Sequence, residues 1–386
     1  MKVYSRFTLW IILASASLTV AAGSMLSPLV HLVRDALGVD PASVGFILTT
    51  HALFVALFSP LMGSLTDKIG AKKPFVFGLV LYGLAGGSGL FIDSYWLFIA
   101  SRAILGIGVA AMVVSMTVMI LNVYEGVERN KVMGWRASAN SLGIMILPLI
   151  GGTLGTLSWH LPFAVYLLGI PLGFLALITI PGVHREKIQD MSDVSEEGSV
   201  LKFLINNRIL FVIYGLRFLS ALLLYVNVVF LSQFLEKFDI SNPFYISLFF
   251  ATSALSGALT SLVYGRIKSR LSYKMIVLTV LALWAVAFTL ISQATFVLII
   301  AVAVVLFGIG RGMIQPALLV WVGETVPVSF RGRITSYLLS LAFIGQFSSP
   351  VLFGPVFSVL GLNGVFLVAG GLCATVFLLL LFLKSK

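Results

Sequence analysis

Apolar residues along this 386-residue chain gather into long unbroken runs, with polar residues confined to short joints between them. The runs are about as long as the ~20 residues an α-helix needs to cross a ~30 Å hydrocarbon core. They predict spans at 7–32, 43–64, 74–92, 95–122, 132–157, 161–182, 208–234, 243–265, 273–292, 296–322, 333–358 and 362–383. In hydrocarbon every backbone polar group must bond within the protein, and the runs lack the alternation of a barrel strand. The expectation is therefore an all-α membrane protein of twelve transmembrane helices. Composition agrees: 59% of residues are hydrophobic and 10% charged, against about half and a quarter in ordinary soluble domains.

Lys and Arg sort to alternate joints. With the N-terminus inside, the cytoplasmic segments hold Lys2, Arg6, Lys68, Lys72, Lys73, Arg129, Lys131, Arg136, Arg185, Lys187, Lys202, Arg208, Arg266, Lys268, Arg270, Lys274, Arg331, Arg333, Lys384 and Lys386, and the outer loops only Arg34 and Lys237. That bias predicts a multi-pass protein of the inner (cytoplasmic) membrane with both termini cytoplasmic. The net charge of +11 then reflects topology and attraction to anionic inner-leaflet lipid, and gives no reason to expect nucleic acid. The opening Met-Lys-Val-Tyr-Ser-Arg resembles a signal-peptide start, but the apolar stretch runs on through Met25 and Leu29, and cleavage near Ala21-Ala22-Gly23 would invert the charge bias. Cys373, the one cysteine, lies inside the last span, which excludes a disulfide framework and a cysteine metal site.

The chain also repeats itself at an offset of 202 residues. Gly63, Lys68, Lys72, Gly106, Ile107, Gly108, Arg129, Gly143, Pro148 and Gly152 return as Gly265, Arg270, Lys274, Gly308, Ile309, Gly310, Arg331, Gly345, Pro350 and Gly354. Recurring Gly and Pro at fixed depth mark close helix contacts and bends, so each half is one six-helix unit. Two halves that both start in the cytoplasm are parallel repeats about an axis along the membrane normal. The expected division is 1–183, a cytoplasmic linker at 184–207, and 208–386. The linker carries five of the fourteen acids and reads as a flexible tether, with a short interfacial helix near Val200–Leu204 as the alternative.

The loop after the second span reads Gly63-Ser-Leu-Thr-Asp67-Lys68-Ile-Gly70-Ala-Lys72-Lys73. Its glycines allow a tight turn, its lysines anchor at the inner leaflet, and one carboxylate sits at the membrane edge. It closely resembles the signature loop of the major facilitator superfamily. The resemblance implies the two-bundle major facilitator fold, and that Asp67 latches onto helix ends of the opposite half, held by a helix dipole. The second copy, Gly265-Arg-Ile-Lys-Ser269-Arg270-Leu-Ser272, lacks the acid. Arg102-Ala-Ile-Leu-Gly106-Ile-Gly108 in the fourth span resembles the family's Arg-x-x-x-Gly-x-Gly element, which implies a link between Arg102 and proton transfer; the other reading is an Arg that snorkels outward. Gly134, Gly143 and Leu147-Pro148-Leu-Ile-Gly151-Gly152 resemble the motif of the family's twelve-helix drug/proton antiporters, with Leu147 where a glycine is usual. That implies close helix crossing, a bend that seals the cavity, and export.

No carboxylate is expected mid-membrane, whereas Arg102, Arg217 and Arg311 are. Exporters of cationic drugs need a buried acid, so the unpaired positive field points to neutral or anionic amphipathic cargo. Alternatively Arg102 reaches Asp93 or a carbonyl, and Arg217 lies near the cytoplasmic mouth. His51, partway down the second span, is a candidate proton carrier or a hydrogen-bonded core histidine, and His31 is a weaker one. Asn140, Asn227, Gln315 and Gln346 fall on spans expected to line a central cavity, with Met25, Tyr225 and Trp321 as apolar or aromatic liners. Each of the polar residues either bonds ligand or joins helices.

The sequence holds no Gly-x-x-x-x-Gly-Lys-Ser/Thr, Gly-x-Ser-x-Gly, His-Glu-x-x-His or Cys-x-x-Cys, so ATP-driven pumping, catalysis, metal and cofactor have no candidate residues. The reading is a monomeric secondary transporter that exports small molecules against protons by alternating access, among membrane lipids. The alternatives are a proton-coupled uptake symporter for a sugar or organic acid, and a membrane scaffold or intramembrane enzyme.

Overall fold

The computed structural model describes residues 4–41, 43–181, 207–326 and 331–382, all helices and turns with no strand among them. The expected linker, apart from Asn207, and its interfacial helix lie outside the described residues. Ser5 starts the first helix by accepting the Thr8 N–H, at 3.1 Å, as an N-cap. That helix, α1 (Arg6–Ser24), continues through a 3₁₀ turn (Ser27–Leu29) into α2 (Val30–Leu37). There follow α3 (Gly45–Ile69), α4 (Lys72–Gly87), α5 (Tyr95–Val123), α6 (Gly126–Gly155) and α7 (Gly169–Thr179), the last preceded by a 3₁₀ segment (Leu161–Leu168).

The second six spans comprise α8 (Arg208–Leu235), α9 (Pro243–Leu262) with its short extension α10 (Tyr264–Arg270), α11 (Tyr273–Ser292), α12 (Val297–Thr325) and α13 (Arg331–Phe382). Gly361 breaks α13 into two limbs by taking φ 66°, a left-handed conformation open to glycine. Among the described residues, ten helical stretches are long and apolar enough to cross a membrane. Dividing α13 at Gly361 and adding the 16-residue α4 brings the spans to the expected twelve.

Each bundle is knitted by the glycines of the repeat. A Cβ at Gly108 would stand 2.9 Å from the Tyr82 nitrogen and 3.0 Å from the Gly78 carbonyl, so α4 and α5 cross backbone to backbone. In the second bundle Gly308 and Gly312 lie against the backbone of α9 at Ser253 and Gly257, and Gly310 against the Trp284 ring of α11. Between bundles, α6 packs on α9 and α3 on α13. The loop at Ile69–Lys72 and the basic residues of α10 mark one end of the molecule, here the basic end; the other is the far end.

Candidate functional site

The fork of Arg102 has no exposure at all. One Nη donates to the carbonyls of Ala85 and Gly86, at 3.4 and 3.2 Å, and Nε to Ser101 Oγ at 3.4 Å. These carbonyls close the C-terminal end of α4, where a helix presents its negative pole. The guanidinium carbon lies 5.0–5.3 Å from the ring centres of Phe98, Phe163 and Tyr166, a cation–π cage. Of the two readings of Arg102, the structure takes the carbonyl one; Asp93 pairs instead with His160, at 3.0 Å. The surrounding tyrosines carry the contact onward, Tyr82 Oη donating to the Leu18 carbonyl (2.7 Å) and Tyr166 Oη to that of Ala21 (3.1 Å), both on α1.

Just beyond Ala21, three elements meet at Gly23: the Tyr225 hydroxyl of α8 and the His51 ring of α3 both press where a Cβ would stand. Tyr225 therefore touches the first bundle from the second. Gly106 lies against the His51 carbonyl and Phe54. His51 Nδ1, Asn140 Oδ1 and both amide atoms of Asn227 are buried without a hydrogen-bond partner among the described residues. Met25 is buried, its carbonyl against Gly151. Gly143 packs on Ser17 and Val20, and Gly152 reaches across to Pro243 and Ser247 of α9. Pro148 is buried inside α6 between them. Gly134 and Gly63 have nothing within 4 Å and need no glycine for close approach. Trp321 stacks on Tyr273 (5.0 Å, 3° between rings) at the start of α11, where Lys268 of α10 lies over the Tyr273 ring. It is thus set apart from the other expected cavity residues. Gln346 is partly exposed on α13, beside Phe347, whose ring meets Phe46 of the first bundle at 6.0 Å.

A second group of guanidiniums lies toward the basic end. Arg217 of α8 donates through Nη1 to Gln315 Oε1 of α12, while its Nε is buried without a partner. Arg311 stands one turn before Gln315 on α12, its Nε 3.7 Å from a Cβ at Gly257. Arg136 joins them. The sequence reading puts it in a basic joint, but α6 begins at Gly126, so Arg136 lies ten residues inside a helix. It donates to Thr117 Oγ1 (2.7 Å) and to the Val113 carbonyl (3.4 Å) of α5. Its place inside the expected 132–157 run was the available signal. Arg102, Arg136, Arg217 and Arg311 form no ion pair among the described residues.

The signature loop folds around a groove of about 320 Å³ lined by Tyr4, Asp67, Lys68, Lys72, Lys73 and Asn122, among others. Gly70 takes φ 82°, which fixes glycine there. Burial, and then the neighbouring Tyr124, push the Tyr4 hydroxyl up to about 12.

At the far end the two bundles are shut against each other. His31 Nε2 bonds the Ser241 carbonyl at 2.7 Å, and Arg34 bonds Glu236 at 3.0 Å and Gln233 at 3.5 Å. Gly45 packs on Pro350 and Val229. The sequence reading passed over this seam because its partners lie some 200 residues apart, with no motif linking them.

Comparison with known proteins follows the same outline. The family model of the Major Facilitator Superfamily matches residues 12–241 and 213–386. The chain is 27% identical to the bacillibactin exporter of Bacillus subtilis (strain 168), over 96% of this chain and 94% of that one. It is 28% identical to the class D tetracycline resistance protein of Salmonella ordonez, over 81% and 79%. The crystal structure of a D-xylose–proton symporter superposes with a TM-score of 0.83 at 12% identity, over 98% of both chains, a likeness of fold. Two matches of one family model, a helical double bundle and the repeated glycine crossings converge: the chain belongs to the Major Facilitator Superfamily.

Proposed function

We propose that this protein exports small amphipathic molecules, neutral or anionic, in exchange for protons, by alternating access between its two bundles. The charge bias makes the basic end cytoplasmic, with both termini inside. The closed seam of His31, Arg34, Gly45 and Gly152 then belongs to the outer side. Toward the basic end, Gly63, Gly134, Gly215, Gly265 and Gly323 have open space among the described residues. On that reading the structure is the inward-facing state, ready to take cargo from the cytoplasm. Asp67 then serves as the latch that stabilises the state in which the inner side is closed. The single observation that carries the cargo class is the group of guanidiniums at Arg217 and Arg311, within the membrane and paired with no acid among the described residues. Such a field attracts anions and repels cations. The relatives named for bacillibactin export and tetracycline resistance support export.

Cargo would pass unchanged, by a monomer, without enzymatic chemistry. Proton coupling falls to His51, seated where the bundles meet, with Arg102 holding the helices around it. Inverted membrane vesicles with an imposed pH gradient test the proposal. Export predicts gradient-dependent accumulation of an anionic dye inside the vesicles, abolished by an uncoupler. Accumulation in whole cells instead would establish the uptake symporter.

A further inference from the structure

We infer that Arg136 is the first bundle's contribution to the cargo site, so that the acidic group of the cargo is held from both halves, by Arg136 on one side and Arg217 on the other. The inference rests on the anionic-cargo reading above and adds to it a residue and a mode of binding.

Depth comes first. At 1.5 Å per residue, Arg136 sits about 15 Å inside α6 from its basic end, Arg217 about 14 Å inside α8, and Gln315 about 15 Å inside α12. The two arginines thus occupy one level of the membrane, on opposite bundles, in a state whose seam is closed beyond them at the far end. Neither is a surface anchor, since each side chain turns onto a neighbouring helix of its own bundle: Arg136 onto Val113 and Thr117 of α5, Arg217 onto Gln315 of α12. All of these residues are partly exposed, as they would be along the wall of a vestibule.

Charge decides the rest. A guanidinium has five N–H donors, and Arg136 spends two of its groups on a hydroxyl and a carbonyl, both neutral. A cation at this depth is costly without water or a counter-ion, and no acid among the described residues supplies one. Neutral acceptors do, however, fix the fork in place. A fixed fork is suited to a carboxylate, sulfonate or phosphate, which it binds through two parallel hydrogen bonds. An anion gripped by Arg136 and Arg217 together also draws the two basic ends toward each other. Cargo then favours the closing of the inner side, the differential binding that a ligand-driven change of state requires.

Carboxyfluorescein uptake into inverted vesicles is the test. R136Q is expected to raise KM for the dye tenfold or more while kcat stays within about twofold, and R136K to recover much of the affinity through its charge. R136Q at normal KM, with R217Q impaired, overturns the two-sided site while leaving anionic cargo intact. Wild-type protein that moves ethidium but not carboxyfluorescein removes the anionic reading itself. Should R136Q fail to fold, phenylglyoxal labelling of the wild-type protein, read by mass spectrometry, decides: carboxyfluorescein is expected to slow modification at Arg136 and Arg217 alike, and labelling of Arg136 that ignores the dye sinks the inference.

Discussion

Arg102 shows how a charged residue is kept in a membrane protein without a carboxylate. The carbonyl pole at the end of α4 and three aromatic faces share its charge. Truncating it to Ala strands those carbonyls and leaves a void among the rings, so Arg102→Ala is expected to lower stability by about 3 kcal/mol. Arg102→Lys keeps the charge but loses the fork and should fall in between. Thermal unfolding in detergent checks both; equal melting of all three proteins would remove the cage from the account of stability. At this scale the sequence was informative about which residues are unusual and silent about what they touch. Arg102 and His51 stand out by being polar in apolar runs, whereas Tyr82 and Tyr166 look like ordinary membrane tyrosines until Leu18 and Ala21 are seen to accept their hydroxyls. Arg136 was misplaced for a related reason. The polar stretch before 132 reads as a joint and Arg136 counts with its basic residues, whereas the helix already starts at Gly126.

Helices pack here through missing side chains, so glycines of one kind should behave in two ways. Gly108→Ala sets a methyl 2.9 Å from the Tyr82 nitrogen and about as close to the Gly78 carbonyl, both backbone atoms with little room to yield. The expected cost is about 1–3 kcal/mol, with a matching loss of folded protein. Gly134→Ala meets nothing within 4 Å and should be neutral, or stabilising by up to about 1 kcal/mol, since alanine is the better helix former. Fluorescence-detected size exclusion after a heating series separates the two, and a Gly134→Ala protein that melts like Gly108→Ala would refute the distinction. Twelve spans and their repeat were legible because hydropathy is a local signal and a constant offset between glycines is read along the chain without knowing any contact. The motif reading grouped Gly134 with Gly143, Gly151 and Gly152, yet only the last three lie at crossings. Spacing shows that a glycine faces one side of a helix, but not whether a neighbour is there.

For the molecule as a whole, the far-end seam is held partly by close packing at glycines and partly by charge. The Arg34–Glu236 pair joins the bundles at 3.0 Å with both side chains partly buried. A partly screened pair contributes about 1 kcal/mol. Losing it shifts a two-state equilibrium about fivefold toward the open seam. Glu236→Gln should therefore increase labelling, by an impermeant thiol reagent from the far side, of a cysteine placed at Ser24 in a Cys373→Ser background. High salt should mimic it only weakly, since the pair is partly sheltered. Arg34→Glu combined with Glu236→Arg should bring the labelling back down, because the pair needs opposite charges and not a particular order. Gly152 and Ser247 supply the opposite perturbation. A Cβ at Gly152 would stand 2.7 Å from that of Ser247, closer than the about 3.8 Å of a disulfide, so a double cysteine variant can bridge after a small parting of α6 and α9. Oxidation should then hold the far end shut and stop transport, and a reducing agent should restore it. A bridged protein that still turned over would mean that this seam does not have to open for cargo to leave, and alternating access about it would have to be abandoned.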